Sequence, residues 1–355
     1  MRWANLAVTP VPATEPSRSG TARAPTLPLA DAVVRRFHTP GFAGMTFYEV
    51  RAKSLINRVP AASRVPFEWT INPYRGCSHA CVYCFARRTH TYLDLDAGED
   101  FDRRIVVKVN AGELLRRELA HPRWRGDHIA MGTNVDCYQR AEGRYGLMRE
   151  ILAGLRDFAN PFSILTKGTL ILRDLDLLRQ AAEVTEVGLA VSIGFVDEAL
   201  WRSVEPGTPS PRRRLDVVRR LSDAGFRVGV LMAPVLPGIT DDDASIDATV
   251  AAVASAGAAS LTPLPLHLRP GAREWYGRWL ARERPDLVPR YRELYARGSY
   301  LPPDYQREVT ARVRAAARRY GLGGGTADHR SPSTADQPDG RSDRSPRPPA
   351  QPTLW

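Results

Sequence analysis

Lysine is almost missing from this chain. Lys53, Lys108 and Lys167 are the whole complement, although basic residues number 50 against 39 acidic ones, so arginine carries nearly all of the +11 net charge. An arginine excess suits a polyanionic partner, and it equally suits a solvated surface with no partner. The stretch "EVTARVRAAARRYGL", with Arg312, Arg314, Arg318 and Arg319, reads as a helix and is the best candidate for a polyanion contact such as nucleic acid. Long apolar runs are missing as well. Nothing approaches the ~18 to 20 residues of a membrane span, and "MRWANLAVTPVPATEPSRSG" lacks the apolar block of a secretory signal. The expectation is a cytoplasmic monomer with no membrane partner. Cysteine is scarce too: of four, three stand within eight residues as Cys77, Cys81 and Cys84, and the fourth is Cys137. Reducing thiol pools in the cytoplasm disfavour structural disulfides, so such a group points to metal binding or chemistry.

What is present is enough to build a large core. A chain of 355 residues with 43% apolar content accommodates one large α/β barrel or two ordinary domains. Residues 1–30 and 322–355 are rich in Pro, Ala, Ser and Thr or Gly without hydrophobic periodicity and are expected to be disordered. Residues 31–66 read as a lead-in, 67–270 as the core and 271–321 as an arginine-rich helical extension. In the core, short β-branched runs alternate with amphipathic stretches, which argues for βα units and a parallel sheet. Strands are expected near residues 67–72, 127–133, 162–167, 187–193, 227–235 and 259–268, with helices between them. An added strand and helix, "RRIVVKVNAGELLRREL", read as an insertion before the second of these strands. Six units in succession make a partial (β/α)6 TIM-like barrel, whose chemistry belongs at the C-terminal ends of the strands. Thr133 to Gln139, Thr166, Lys167, Ser192 and Pro237 to Asp241 fall there, and the cysteines follow the first strand onto the same face.

The cysteine spacing is Cys, three residues, Cys, two residues, Cys, with Gly76 just ahead. Iron–sulfur clusters take thiolates at such short spacings because a folded loop can wrap the cluster, and three ligands leave one iron open. A zinc site recruiting His79 or Cys137 is an alternative, as is a redox dithiol of Cys81 and Cys84 that leaves Cys77 without a purpose.

The segment "CSHACVYC" resembles the cluster-binding loop of the radical S-adenosylmethionine (radical SAM) superfamily, CxxxCx(aromatic)C, with Tyr83 as the aromatic. "GTNVDCYQRAE", "ILTKGTLILRDLDLL", "LWRSVEPGTPSPRRRL" and "AGFRVGVLMAPVLPGITD" extend the resemblance over about residues 45–270, to the branch that includes spore photoproduct lyase. The resemblance implies a [4Fe–4S] cluster held by Cys77, Cys81 and Cys84, with SAM on the open iron. It implies cleavage of SAM to a 5′-deoxyadenosyl radical that abstracts hydrogen, and an external one-electron reductant of flavodoxin or ferredoxin type. A non-catalytic zinc or iron–sulfur protein that binds nucleic acid is the alternative from another class.

The resemblance also suggests roles for single residues. Tyr83 is the position that contacts adenine, though its ring would also pack the loop. His79 reads as a loop residue, since a fourth protein ligand would block SAM. Asp136 offers a carboxylate to the SAM ammonium and Thr133 and Asn134 neutral partners, with helix capping as the plainer alternative. Lys167, a rare ammonium in an arginine chain, suits the SAM carboxylate. Ser192 matches a position at the ribose or methionine end. Glu205 and Arg214 pair naturally, and Arg212 and Arg213 are candidates for substrate contact. Cys137 and Tyr138 are the candidate hydrogen-atom donors, although Cys137 follows the aspartate, a departure from the lyase pattern that weakens an assignment to DNA repair.

Overall fold

The computed structural model describes residues 32–60, 63 and 65–324; the expected disorder at 1–30 and beyond 324 lies outside them. The strands are β1 Val33–Arg35, β2 Thr46–Val50, β3 Ile56–Arg58, β4 Trp69–Ile71, β5 Tyr74–Arg75, β6 Arg104–Lys108, β7 Ile129–Met131, β8 Phe162–Thr166, β9 Val187–Ser192, β10 Val228–Val235, β11 Ser260–Pro265 and β12 Gly323–Gly324. The helices are α1 Glu99–Arg103, α2 Ala111–Leu119, α3 Glu142–Tyr145, α4 Leu147–Asp157, α5 Leu175–Ala182, α6 Glu198–Val204, α7 Pro211–Asp223, α8 Asp243–Ser255, α9 Ala272–Glu283, α10 Val288–Leu294 and α11 Pro303–Arg319.

The main sheet has the order β12-β11-β10-β9-β8-β7-β4-β3. Its six central strands, β4 and β7 to β11, run parallel and neighbour one another in chain order, as successive βα units require. This is the strand order of a partial (β/α)6 barrel. Local patterning explains the elements. Along β8, Phe162, Ile164 and Thr166 are buried and the residues between them only half so, the period of two that a strand imposes. Along α4, Leu147, Met148, Ile151, Leu152 and Leu155 form the buried stripe of a helix. Caps fix the helix starts: the side chains of Ser210 and Asp242 accept from the backbone N–H groups of Arg213 and Ser245, and Pro211 begins α7.

Three features depart from the sequence expectations. The insertion strand β6 belongs to a second sheet of order β1-β2-β6-β5, pairing parallel with β2 and antiparallel with β5. The lead-in is therefore structured, and its β3 edges the main sheet by antiparallel pairing with β4. Residues 322–324, placed in the tail by composition, are ordered: Leu322 is buried and β12 pairs parallel with β11. Finally, α11 is tied down by its basic side chains. Arg312 donates to Asp243 at 2.7 Å and Arg319 to Asp247 at 2.7 Å, both on α8, while Val309, Val313, Ala316 and Ala317 enter the core. Two of the four arginines expected to meet a polyanion are thus already paired.

The extension after residue 270 is more aromatic than its arginine content suggests. Tyr276, Trp279, Tyr291 and Tyr295 of α9, α10 and the turn after it are buried together with Cys81, Val82, Tyr83 and Phe195. It caps the end of the sheet that carries the cysteine loop.

Candidate active site

The cysteine loop leaves β5 through Gly76, whose φ is +83°. A Cβ there would lie 2.9 Å from the Arg104 carbonyl oxygen and 2.9 Å from the His90 ring, so only glycine fits. The loop is then bonded from four directions. Cys77 N–H donates to the Phe101 carbonyl at 2.9 Å, and Val82 N–H to the Val204 carbonyl at 3.0 Å. The Gln139 side chain accepts from Ser78 N–H and donates to the Gly76 carbonyl, each at 2.9 Å. Gly207 N–H donates to the His79 carbonyl at 3.1 Å. Fully buried Arg87 donates to the Cys81 carbonyl at 2.9 Å and to both oxygens of Asp102 at 2.9 and 3.0 Å, with its guanidinium 4.8 Å from the Trp275 ring centre. Such a guanidinium satisfies several carbonyls at once, which a lysine cannot.

A cleft opens over this loop at the C-terminal ends of the strands. Its walls include Cys77, Cys81 and Cys84, then Thr133 and Asp136 after β7, Lys167 after β8 and Ser192 at the end of β9. Tyr83 and Phe85 come from the loop itself, and Leu264, Leu266 and His267 from the β11 side. The sequence-predicted residues Tyr83, Thr133, Asp136, Lys167 and Ser192 therefore converge on one cavity with all three loop cysteines. The Lys167 ammonium donates to Ser192 Oγ at 2.7 Å and lies 5.8 Å from the centre of the Tyr83 ring. Thr133 Oγ1 and Thr70 Oγ1 share a hydrogen bond at 2.9 Å.

None of the three thiols is in a disulfide. Burial pushes all three up in pKa; at Cys77 the neighbouring Asp136, Cys84 and Cys81 add to it, while Lys167 opposes it at Cys81 and Cys84. Thiols this desolvated are neutral as they stand, and they become thiolates only against a metal that takes up the charge. Among the described residues no three His, Cys, Asp or Glu side chains draw in tightly enough for a single ion. Thiols that instead line one wall of a roomy cleft suit a cluster in which each binds its own iron, so the donor set fits.

Asp136 is held as a carboxylate. Burial alone would raise its pKa, but His79 Nδ1 at 3.4 Å, Lys167 N–H at 2.6 Å and Thr166 Oγ1 at 2.7 Å outweigh that and keep it at about 2. It also accepts from Tyr138 N–H at 2.9 Å. Much of its hydrogen-bonding capacity is thus spent on joining the β7 and β8 loops and on positioning His79. Thr133, also expected at the cofactor, is similarly engaged with Thr70.

Two of the candidate residues are not brought to the cleft. Cys137 is fully buried in the main apolar core and Tyr138 is 1% exposed, and neither lines the cleft. The turn after Asp136 directs both behind the cavity wall, where burial raises the pKa of each far above its ordinary value. Both therefore stand outside the cleft lining. Arg212 and Arg213 do not line the cleft either. By contrast, the proposed pair forms: Arg214 donates to Glu205 at 2.5 Å, both fully buried, and the Tyr83 hydroxyl donates to the other Glu205 oxygen. Ionised Glu205 is favoured despite burial, by Arg214 first and Lys167 next. Residues that sequence reasoning passed over include Arg87 and His267. Arg87 meets Asp102 and the Cys81 carbonyl, and His267 meets Phe85 and Tyr300, and no local pattern marks either residue.

At the mouth of the cleft the Phe85 and His267 rings lie 5.4 Å apart, His267 stacks on Tyr300 at 5.7 Å and 21°, and the Arg269 guanidinium sits 5.4 Å from the Phe85 ring centre. Burial and then Arg269 depress the His267 pKa, so this imidazole is neutral at physiological pH.

Comparison with known proteins agrees with this geometry. The chain is 48% identical over 332 residues to an uncharacterized protein of Mycobacterium tuberculosis, covering 93% of this chain and 95% of that one. It is 31% identical over 195 residues to an uncharacterized protein of Methanocaldococcus jannaschii, covering 54% and 69% respectively. A solved spore photoproduct lyase mutant shares the fold with a TM-score of 0.58 at 16% identity, over 78% of this chain and 79% of that one. The same lyase complexed with a dinucleoside spore photoproduct gives 0.58 at 17%, over 77% and 78%. The Radical SAM superfamily model matches residues 71–248, the stretch that runs from the cysteine loop through Lys167, Ser192 and the Glu205–Arg214 pair. With thiols, ammonium and strand order arranged in that one stretch, the chain belongs to the radical SAM superfamily and is an enzyme of radical chemistry.

Proposed function

We propose that Cys77, Cys81 and Cys84 hold a [4Fe–4S] cluster and that SAM occupies the cleft beside them. Membership of the superfamily implies both cofactors and an external reductant. When bound, they supply a 5′-deoxyadenosyl radical that abstracts a hydrogen atom from the substrate. The observation that carries the assignment is the convergence of three unpaired thiols with Lys167 and Ser192 on one buried wall.

The chain's own residues bind and orient. Lys167 presents a compact positive charge to a carboxylate, and Ser192 holds that ammonium in place by accepting from it. Tyr83 presents a ring fixed at its hydroxyl by Glu205, a flat surface for the adenine. Asp136 and Thr133 approach the methionine end through whatever capacity their internal bonds leave. Leu231 and Leu266 keep water from the reacting centre, where a radical would otherwise be quenched by side reactions.

The substrate class is read from the mouth. Phe85, His267, Tyr300 and Arg269 form a platform of rings and a guanidinium, which favours a substrate with a flat ring such as a nucleobase, alone or within nucleic acid. The test is anaerobic reconstitution followed by reduction with SAM present. About four irons per chain and release of 5′-deoxyadenosine support the assignment, and a single zinc with no SAM cleavage overturns it. Substrate is then identified by deuterium exchange between labelled candidates and 5′-deoxyadenosine.

A further inference from the structure

Beyond the cleft, a second groove runs along the outer flank of α7. It is lined by Arg212, Arg213, Asp216 and Arg220 of that helix and by Thr169 and Leu172 of the turn after β8, and it shares no residue with the cleft. Elsewhere the arginines mostly have work to do: Arg312 and Arg319 hold α11 to α8, Arg149 and Arg173 hold Asp174, and Arg214, on the same helix, turns inward to Glu205. The guanidinium groups of Arg212, Arg213 and Arg220 have no ion-pair or hydrogen-bond partner among the described residues. The acid in the groove, Asp216, pairs with Arg219 at 3.3 Å. Three like charges held in one groove repel one another, a cost that a multiply acidic partner would relieve.

The place of this groove matters as much as its charge. The segment leading into α7 lies against the cysteine loop: Gly207 N–H bonds the His79 carbonyl, and the N–H of Val82 bonds the carbonyl of Val204. Arg214, just beyond, reaches the loop through Glu205, which accepts from the hydroxyl of Tyr83 between Cys81 and Cys84. Arg212 and Arg213 stand in the first turn of the helix, within about 3 Å of helix rise from Arg214. A protein seated on them contacts the helix whose lead-in segment packs on the cysteine loop, on residues that the cleft does not share.

We propose that this arginine groove is the docking face for an acidic one-electron carrier of the flavodoxin or ferredoxin kind. The inference rests on the reading that Cys77, Cys81 and Cys84 hold a redox cluster, which needs such a donor; the carrier loses one electron and the cluster gains it, with no bond made or broken. Electron transfer needs the donor near the loop, and the segment that leads into α7 lies against it. Guanidinium forks match carboxylates in pairs, and electron-transfer encounters are small and steered by charge. Leu172 supplies an apolar contact at the centre of the groove.

The test replaces the trio together, Arg212→Glu, Arg213→Glu and Arg220→Glu, with a milder Arg→Gln trio as a second variant should reversal disturb folding. Binding of oxidised flavodoxin is measured by calorimetry on both cluster-loaded and cluster-free protein, at low and high salt. The expected result is a wild-type Kd that weakens with salt and rises at least about tenfold on charge reversal. Flavodoxin-driven SAM cleavage falls in parallel, whereas cleavage driven by dithionite, which needs no docking face, stays within about twofold. Unchanged carrier binding in both variants overturns the proposal, as does binding of a short oligonucleotide that the variants lose while carrier binding persists. Failure to load iron counts against the cluster assignment alone, because carrier binding to cluster-free protein still reads the docking face.

Discussion

Arg214 joins Glu205 at 2.5 Å with both side chains fully buried, and its second nitrogen donates to the Ser192 carbonyl at 3.0 Å. Through Glu205 it also holds the Tyr83 hydroxyl, so one ion pair ties the cysteine loop to the end of β9. Removing one member of a buried pair leaves an uncompensated charge. Arg214→Met is therefore expected to destabilise the fold by about 3 to 5 kcal/mol, and Arg214→Met with Glu205→Met together by much less. Urea denaturation of the single and double variants checks this, and equal losses in both would show that the pair contributes shape and not charge compensation.

Tyr83 separates ring from hydroxyl. Tyr83→Phe keeps the surface but orphans one Glu205 oxygen, and should cost about 1 to 3 kcal/mol of stability while leaving SAM affinity within about threefold. Tyr83→Ala should weaken SAM binding by about tenfold or more, a loss of about 1.4 kcal/mol. Equilibrium binding to anaerobically loaded protein distinguishes the two.

Lys167 tests whether a point charge is needed. Both Lys167→Met and Lys167→Arg are expected to weaken SAM binding by about tenfold, because the planar fork of arginine would have to displace its bond to Ser192. An Arg variant that binds as well as wild type would remove the steric part of the argument.

Asp136 makes acid sensitivity calculable in sign. Its folded pKa, about 2, lies below the ordinary value near 4, so its contribution is fully present above about pH 4 and is lost as pH falls through about 2. Wild type should lose about 2 to 3 kcal/mol across that window from this group alone, and Asp136→Asn should show a flatter profile there. The measurement is denaturant unfolding at a series of pH values.

Gly207 is a steric test of the loop. A Cβ at this position would lie 2.0 Å from the Ser78 carbonyl oxygen, which is backbone and has no room to yield. Gly207→Ala should displace the cysteine loop and lower bound iron well below about four per chain, with the secondary structure by circular dichroism little changed.

The six strands of the core were legible in sequence because a period of two and the intervening helical stripes are local properties of the chain. So was the cysteine loop, since ligand spacing is set within a few residues. Lys167 and Ser192 could be assigned to the cleft because the C-terminal end of a parallel strand has one destination. The strands β1, β3 and β12 were not legible, because pairing with a distant edge is what makes them strands.

What only the tertiary structure decided is where side chains point and what they already hold. Cys137 and Asp136 are neighbours in the chain, yet one faces the core and the other the cleft. Arg212 and Arg214 stand two apart on one helix, which turns the first to solvent and the second into the buried pair. Arg312 resembled a free cation until α8 brought Asp243 to it across 69 residues of chain. Residue type and spacing thus determined which groups this protein brings to its cleft, and long-range packing decided which of them remain available, because a side chain's partners are set by the element folded against it.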